Sequence, residues 1–378
     1  MSGTSLDGLD MALCQITGSG LETKLELLHF NTISFPDDFK EAIKKVFSKK
    51  IADLEQVTLL NPWVALQHAA IINKQLKNWG IANEEVDIIA SHGQTIFHAP
   101  KTLHQQENFG NATLQIGDGD HLAVATGITT ISDFRQKHIA AGGEGAPLAV
   151  YGDHLIFGKA GEDRILLNIG GIANFTFLPG TRKASEIFST DTGPGNTMMD
   201  AYMQQQFPGK HFDADGKVAA SGSINNELLS ALKEHDFFSM PLPKTTGPEL
   251  FNLDYLEKAK QRSSTQNISV TDTMATLNKF SADTIIAALL KTIDTQKQYA
   301  VYSSGGGMHN PVLMTHLKTA LPDFSFNTTD SLNINPDAKE AVLFAILANE
   351  CICGNSNYLE KGIEGMPAVT MGKISFSS

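Results

Sequence analysis

Cysteine is scarce in this chain of 378 residues, with only Cys14, Cys351 and Cys353 present. One Cys-x-Cys pair and a distant third make neither a zinc ribbon nor a disulfide framework, which points to a reducing compartment. Basic residues are in the minority, 29 Lys and Arg against 41 Asp and Glu, for a formal charge of −12. With no basic field to attract phosphate backbones or anionic lipid, neither nucleic acid nor membrane is expected as a partner. No apolar run approaches the length that spans a bilayer, and no basic-then-apolar leader opens the chain, so a cytoplasmic protein is expected. Also missing are Gly-x4-Gly-Lys-Ser/Thr and any Gly-x-Gly-x-x-Gly after a strand, which leaves P-loop and Rossmann sites unsupported.

Glycine, by contrast, is plentiful at 32 residues, within an ordinary globular composition of 42% hydrophobic and 19% charged residues. The length predicts two domains. The chemistry is placed at Ser189-Thr190-Asp191-Thr192-Gly193-Pro194-Gly195-Asn196. Small hydroxyl residues lead to a lone carboxylate, a Gly-Pro-Gly turn bends the chain, and Asn196 is suited to cap a helix from Thr197 to Met203. Asp191 at such a corner suits a general base or a metal ligand; helix capping is the alternative.

Along the first half, Gly3, Thr4, Ser5 and Gly8 form a small polar turn. It suits an anion-binding nest and equally an ordinary hairpin, although a hairpin needs a strand before its turn and only two residues precede Gly3. Alternation over Leu21 to Ser34 predicts strands. Pro36-Asp37-Asp38 opens a helix through Phe47, and Asn61-Pro62 opens another from Trp63 to Trp79, stopped by Gly80. A buried strand, Val86 to Ala90, delivers the chain into Ser91-His92-Gly93-Gln94-Thr95. Ligands in open α/β sheets sit at such strand ends. His92 fits a ligand edge and a structural hydrogen-bonding role equally. Leu114 to Asp120 reads as a strand ending in a turn, and Ile128 to Ile131 as another strand. Arg135 follows, a planar donor matched to a carboxylate or else a solvated surface residue. Ala140 to Pro147 is a further glycine-rich corner.

In the second half, Arg164 to Phe177 reads as a hairpin pinched around Gly170-Gly171, in the style of the Gly3–Gly8 turn. Two such hairpins suggest a duplicated architecture with a ligand between the halves. Asp213-Ala-Asp215-Gly216 begins like a calcium loop, but the glycine arrives early and the last acidic ligand is missing, so no metal is expected there. Lys244 to Pro248 is a loop with one cation, and Thr271 to Ile293 a long amphipathic helix. Ala300 to Ser304 runs as a strand into Gly305-Gly306-Gly307, where a flat ring can lie against backbone. Pro336 to Asn349 is a helix containing Glu340.

Five stretches in this order carry a resemblance: Gly3-Thr4-Ser5-Leu6-Asp7-Gly8-Leu9-Asp10, Ser91 to Thr95, Asn168 to Asn174, Asp191 to Asn196, and Gly305–Gly307 with Asn310. Together the chain resembles the anhydro-N-acetylmuramic acid kinases, of the actin/hexokinase-like group. The resemblance implies an α/β fold of two similar ribonuclease H-like domains with ATP and sugar in the cleft between them. Residues 1–126 with 338–378 would form the first, phosphate- and sugar-binding domain, and 127–337 the nucleotide-binding domain carrying the catalytic aspartate. By the same resemblance, Gly3 to Asp10 hold phosphates, Asn168, Gly170 and Gly171 face them, and Gly305, Gly306, Gly307 and Asn310 receive adenosine. Asp191 is the implied base, and His92, Thr95 and Glu340 approach the sugar. ATP and Mg²⁺ are implied, the metal's ligands being unassigned, and so is a homodimer. Two departures stand out. The family has a strand before its first turn, where Met1 here stands almost at the turn, and Val369-Thr370-Met371-Gly372 replaces a smaller Thr-Gly-Ala step.

The implied reaction adds water across the 1,6-anhydro bond and phosphorylates the freed O6, giving N-acetylmuramic acid 6-phosphate in cell-wall recycling. Two rivals remain: a kinase for a hydroxyl of another amino sugar, and a non-catalytic ATP-binding regulator.

Overall fold

Period-two alternation pairs the first two strands, β1 (Gly8–Thr17) and β2 (Lys24–Ser34), as an antiparallel hairpin with a bulge between Leu13 and Cys14. The computed structural model describes every residue except 4, 5, 7, 147, 295–296, 333, 355–366 and 378. Contacts divide the chain into two units, Met1–Phe157 with Asn333–Ser378, and Gly158–Leu332.

In the first unit the hairpin is followed by α1 (Asp37–Lys44) and α2 (Leu54–Trp79). Acids Asp37 and Asp38 in its first turn favour α1, whose Phe39 and Ile43, four apart, enter a core with Leu6, Leu9, Val64, Ile96 and Ile116. Three short strands, β3 (Ile89–Ser91), β4 (Gln94–Ala99) and β5 (Ala112–Ile116), surround the four-residue α3 (Lys101–His104). They lead to α4 (Gly119–Thr126), β6 (Thr130–Ser132), α5 (Phe134–Ala140) and α6 (Ala149–Phe157). Asp118 accepts from His121 N–H at 3.0 Å and so caps α4.

The second unit opens with β7 (Arg164–Ile169), β8 (Ile172–Leu178) and β9 (Phe188–Pro194). Helices α7 (Thr197–Gln206), α8 (Lys217–Ala220), α9 (Asn226–Lys233), α10 (Leu253–Arg262) and α11 (Val270–Thr292) follow. The unit closes with β10 (Ala300–Ser304), α12 (Pro311–Ala320) and β11 (Ser325–Thr328). Its sheet runs β11-β10-β7-β8-β9, antiparallel across β7, β8 and β9 and parallel across β7, β10 and β11. That order is the ribonuclease H-like arrangement. Ile165, Leu166, Leu167 and Ile169 are all buried, as befits a central strand covered on both faces. With Phe175 and with Leu277, Phe280 and Ile285 of α11, most of them form the unit's core. Each fully buried side chain of this kind stabilises by about 1.5–3 kcal/mol.

The chain then returns to the first unit through α13 (Lys339–Ile352) and β12 (Lys373–Ser375). β6 pairs in parallel with β3 and antiparallel with β12, so the segment 127–157, expected in the second domain, belongs with the first. The boundary near 126 is implied by the resemblance, and strand pairing places it later. No helix among the described residues is long and apolar enough to cross a membrane.

Candidate active site

Asp191 lies within β9, opposite Asn174 of β8, next to a bulge between Ala173 and Asn174. Its N–H donates to Lys244 O at 2.9 Å, and its Oδ2 accepts from Thr246 N–H at 2.8 Å. Among the described residues nothing in α7 donates to it, so the helix-cap alternative does not hold. Asn196 does stand before α7, but its side chain donates to Ile169 O at 3.3 Å instead of capping. Burial raises the Asp191 carboxyl pKa, the Thr246 bond opposing and the Glu249 carboxylate reinforcing the rise. One oxygen is thus held while Oδ1 carries no hydrogen bond among the described residues. Thr246 Oγ1, beside it, is buried without a partner.

The turn Gly170-Gly171 joins β7 to β8, and its carbonyls accept the N–H groups at the start of α7. Gly170 O takes Asn196 N–H at 2.8 Å, and Gly171 O takes those of Gly195 at 2.8 Å and Thr197 at 3.0 Å. This fixes the turn without using its own side-chain space. A Cβ on Gly170 or Gly171 would meet only ordinary contacts, at 3.5 Å and 3.7 Å, and neither residue needs a positive φ. Nothing in the described fold demands glycine there, which is what close approach of another molecule would require.

The glycine run after β10 divides the same way. Gly305 has φ +82, and a Cβ there would lie 2.7 Å from Asn168 Oδ1 and Ile169 O. On Gly307 a Cβ would lie 2.3 Å from Ile169 Cγ2. Both are demanded by packing. Gly306 between them faces open space, its nearest neighbour being Asn196 Nδ2 at 3.6 Å. Asn310 caps α12, its Oδ1 accepting from Val312 and Leu313 N–H, each at 3.1 Å, and from Asn278 Nδ2 at 3.2 Å. Asn168, next to last in β7, accepts from Ser304 Oγ at 3.5 Å. Lys244, the one cation of its loop, turns away from Asp191 onto the Phe237 ring. Asp213 spends both oxygens on Val218 and Ala219 N–H, at 2.9 Å each.

In the first unit, Ser2 forms an isolated antiparallel bridge with Leu9, and Asp10 N–H donates to Met1 O at 2.9 Å. Thr4, Ser5 and Asp7 lie outside the described residues. Leu6 and Leu9 are both buried in the core, leaving only their backbone to face a ligand. Gly8 is fixed by sterics, since a Cβ would lie 2.5 Å from Ile33 O, and Asp10 Oδ1 accepts from Thr32 Oγ1 at 2.6 Å. Gln94, fully buried, grips the turn by accepting from Ser2 Oγ and donating to Gly3 O at 3.3 Å.

His92 is buried at the β3–β4 corner against Phe344 of α13. Its Nδ1 contacts Gly93 O at 2.9 Å, and its Nε2 accepts from Arg135 Nε–H at 3.0 Å. Burial, with the Arg135 charge adding, pushes its pKa down to about 3, so the ring is neutral with the proton assigned to Nδ1. Arg135 also donates to Gly145 O at 2.6 Å. Burial lowers the guanidinium pKa, while Glu340, exposed in the first turn of α13, opposes the shift. Thr95 Oγ1 accepts from Gln115 Nε2 at 3.2 Å. His92, Arg135 and Glu340 are thus brought together within this unit.

Sequence reasoning passed over Gln94 and Thr246, and left Arg135 outside the site. Gln94 was visible inside the Ser91–Thr95 stretch. Thr246 carried no signal, since it reaches Asp191 from 55 positions away and through its backbone.

Residues 1–376 match the family described as Anhydro-N-acetylmuramic acid kinase. A relative of that name from Pseudoalteromonas atlantica is 56% identical over 377 residues, covering 100% of this chain and 94% of the relative. Another so named, from Caldanaerobacter subterraneus subsp. tengcongensis, is 38% identical over 377 residues, covering 99% and 95%. Among solved structures, a Schistosoma mansoni hexokinase complexed with glucose is similar over 91% of this chain and 87% of that one, at 10% identity and a TM-score of 0.35. The chain belongs to the anhydro-N-acetylmuramic acid kinase family, and its fold is mixed α/β.

Proposed function

We propose that Asp191 is the general base of an ATP-dependent anhydro-N-acetylmuramic acid kinase that opens the 1,6-anhydro ring and phosphorylates O6. The kinase assignment follows the family match over residues 1–376. The observation that carries the role of Asp191 is its half-held carboxylate: one oxygen bound by Thr246 N–H, the other open, and a pKa raised by burial. An ordinary Asp, with a pKa near about 3.9, is a poor base at neutral pH, and the rise improves it. Asp191 Oδ1 takes a proton from water as that water adds to the anomeric carbon. The C1–O6 pair leaves with O6, which attacks the γ-phosphorus and expels ADP. The product is N-acetylmuramic acid 6-phosphate, the form in which the sugar re-enters metabolism in cell-wall recycling.

The open faces of Gly170, Gly171 and Gly306 fit close approach of ATP, with Asn168 and Asn310 ordering the backbone around them. The Gly3–Asp10 turn and the His92, Thr95 and Glu340 edge serve phosphate and sugar. Mg²⁺ supplies charge neutralisation when it accompanies the phosphates. No group of three His, Cys, Asp or Glu suited to a metal occurs among the described residues, so no protein cage is assigned. The acidic charge and sparse cysteines support a cytoplasmic setting, and the family resemblance a homodimer.

Turnover in ¹⁸O-water tests the reading. Label is expected on C1 of the product, with the ester oxygen coming from the sugar. Asp191→Asn is expected to fold and bind ATP while losing about 10²–10⁴-fold in rate. Label in the phosphate, or near-normal turnover of the variant, would overturn it.

A further inference from the structure

Lys244 is 8% exposed, and its ammonium forms no ion pair among the described residues. A buried cation is costly unless its donors are satisfied. Here Nζ donates to Phe237 O at 2.7 Å and stands 4.1 Å from the centroid of the Phe237 ring, with the Phe238 ring at 5.7 Å. Cation and ring attract at that range.

The backbone of Lys244 is tied just as firmly to β9. Its N–H donates to Thr190 Oγ1 at 3.0 Å, while its carbonyl accepts from Thr190 Oγ1 at 3.3 Å and from Asp191 N–H at 2.9 Å. Two residues on, Thr246 N–H donates to Asp191 Oδ2. The segment therefore lies along β9 at Thr190–Asp191, anchored behind by the ammonium and in front by the carboxylate.

We infer that Lys244 is a positioning residue: its buried ammonium pins the 244–246 segment, whose Thr246 N–H holds Asp191 Oδ2 and leaves Oδ1 for the attacking water. This rests on Asp191 being the base. The ammonium's one hydrogen bond among the described residues goes to the Phe237 carbonyl. Release of the segment would cost the carboxylate its one N–H donor. Losing a bond to the ionised form raises a carboxyl pKa, and the facing Glu249 carboxylate pushes the same way.

The test uses the full chain and the pH dependence of kcat. Lys244→Met keeps length and apolar fit but removes the anchor. It is expected to lower kcat about 10- to 100-fold, to leave KM for ATP within about twofold, and to move the acid limb to higher pH. Thr190→Val, which removes the hydroxyl holding Lys244 N–H and C=O, is expected to move the limb in the same direction. It serves as the test should Lys244→Met not fold. Lys291→Met removes an exposed ammonium, bound to Phe238 O at 2.9 Å but off the segment, and is expected to leave kcat and the limb unchanged. A folded Lys244→Met with wild-type kcat, or with reduced kcat and an unmoved limb, overturns the proposal. Near-normal turnover by Asp191→Asn would instead overturn the reading of the base, so the two failures are separable.

Discussion

Gly306 and Gly307 are adjacent, alike in type, and opposite in what they tolerate. A Cβ on Gly306 meets nothing nearer than 3.6 Å, so a larger residue there is expected to leave the described fold intact and to fill the space proposed above for ATP. Gly306→Val is expected to raise KM for ATP about 10-fold or more, equivalent to about 1.4 kcal/mol, while KM for the sugar changes little. On Gly307 the same atom strikes Ile169 Cγ2, and Gly307→Ala is expected to lose about 1–3 kcal/mol of stability by overpacking, read as a lower Tm. Equal effects of Gly306→Val on both KM values would return the run to a purely structural turn. From sequence alone the three glycines looked equivalent. Asp191 stood out in the sequence as a lone carboxylate among glycines and small hydroxyls, with helix capping as its alternative. Its partner was not, because a backbone N–H carries no residue signature.

Among the elements, α2 and β9 show where patterns mislead. The Asn61-Pro62 pair reads as a helix start, yet α2 begins at Leu54, with Asp53 accepting from Glu55 and Gln56 N–H and Pro62 inside. Pro62 lacks the N–H that would bond Thr58 O, and Asn61 beside it reaches the β5–α4 corner, accepting Gly117 N–H at its side chain and Asp118 N–H at its carbonyl. β9 likewise runs through Asp191 to Pro194, its ladder outweighing the turn chemistry of Gly193-Pro194. Where local signals agreed, as for α11 and β10, the expected bounds lie within a residue of the observed ones. The pair joining α6 to α13 is testable. Asp153, 4% exposed, meets Lys339 Nζ at 2.9 Å. Lys339→Met strands a buried carboxylate and is expected to cost about 3 kcal/mol or more in urea unfolding at neutral pH. Burial raises the Asp153 pKa and Lys339 opposes that rise. Without Lys339 the folded form binds the proton more tightly than the unfolded form. The deficit should therefore shrink as pH falls into the carboxylate range, and one that did not vary with pH would count against this account.

Across the whole molecule, the second unit has what it needs to stand alone. Its sheet is continuous, and its core draws only on residues between Ile165 and Leu321. Residues 158–332 expressed alone are expected to unfold in one cooperative thermal transition, and a non-cooperative melt would show that they depend on the remainder. The sequence revealed two domains but not where they divide, because the division depends on β6 pairing with β3 and β12 rather than on composition. The first unit has a different character. Its α13 supplies Glu350, whose Oε1 accepts from Gly20 N–H across 330 residues, and Lys339, which pairs with Asp153. On a ribosome, those partners emerge only after the whole second unit has been made. The part of the chain synthesised first is therefore the part completed last, and until then its Asp153 carboxylate and its Gly20 N–H wait without their counterparts.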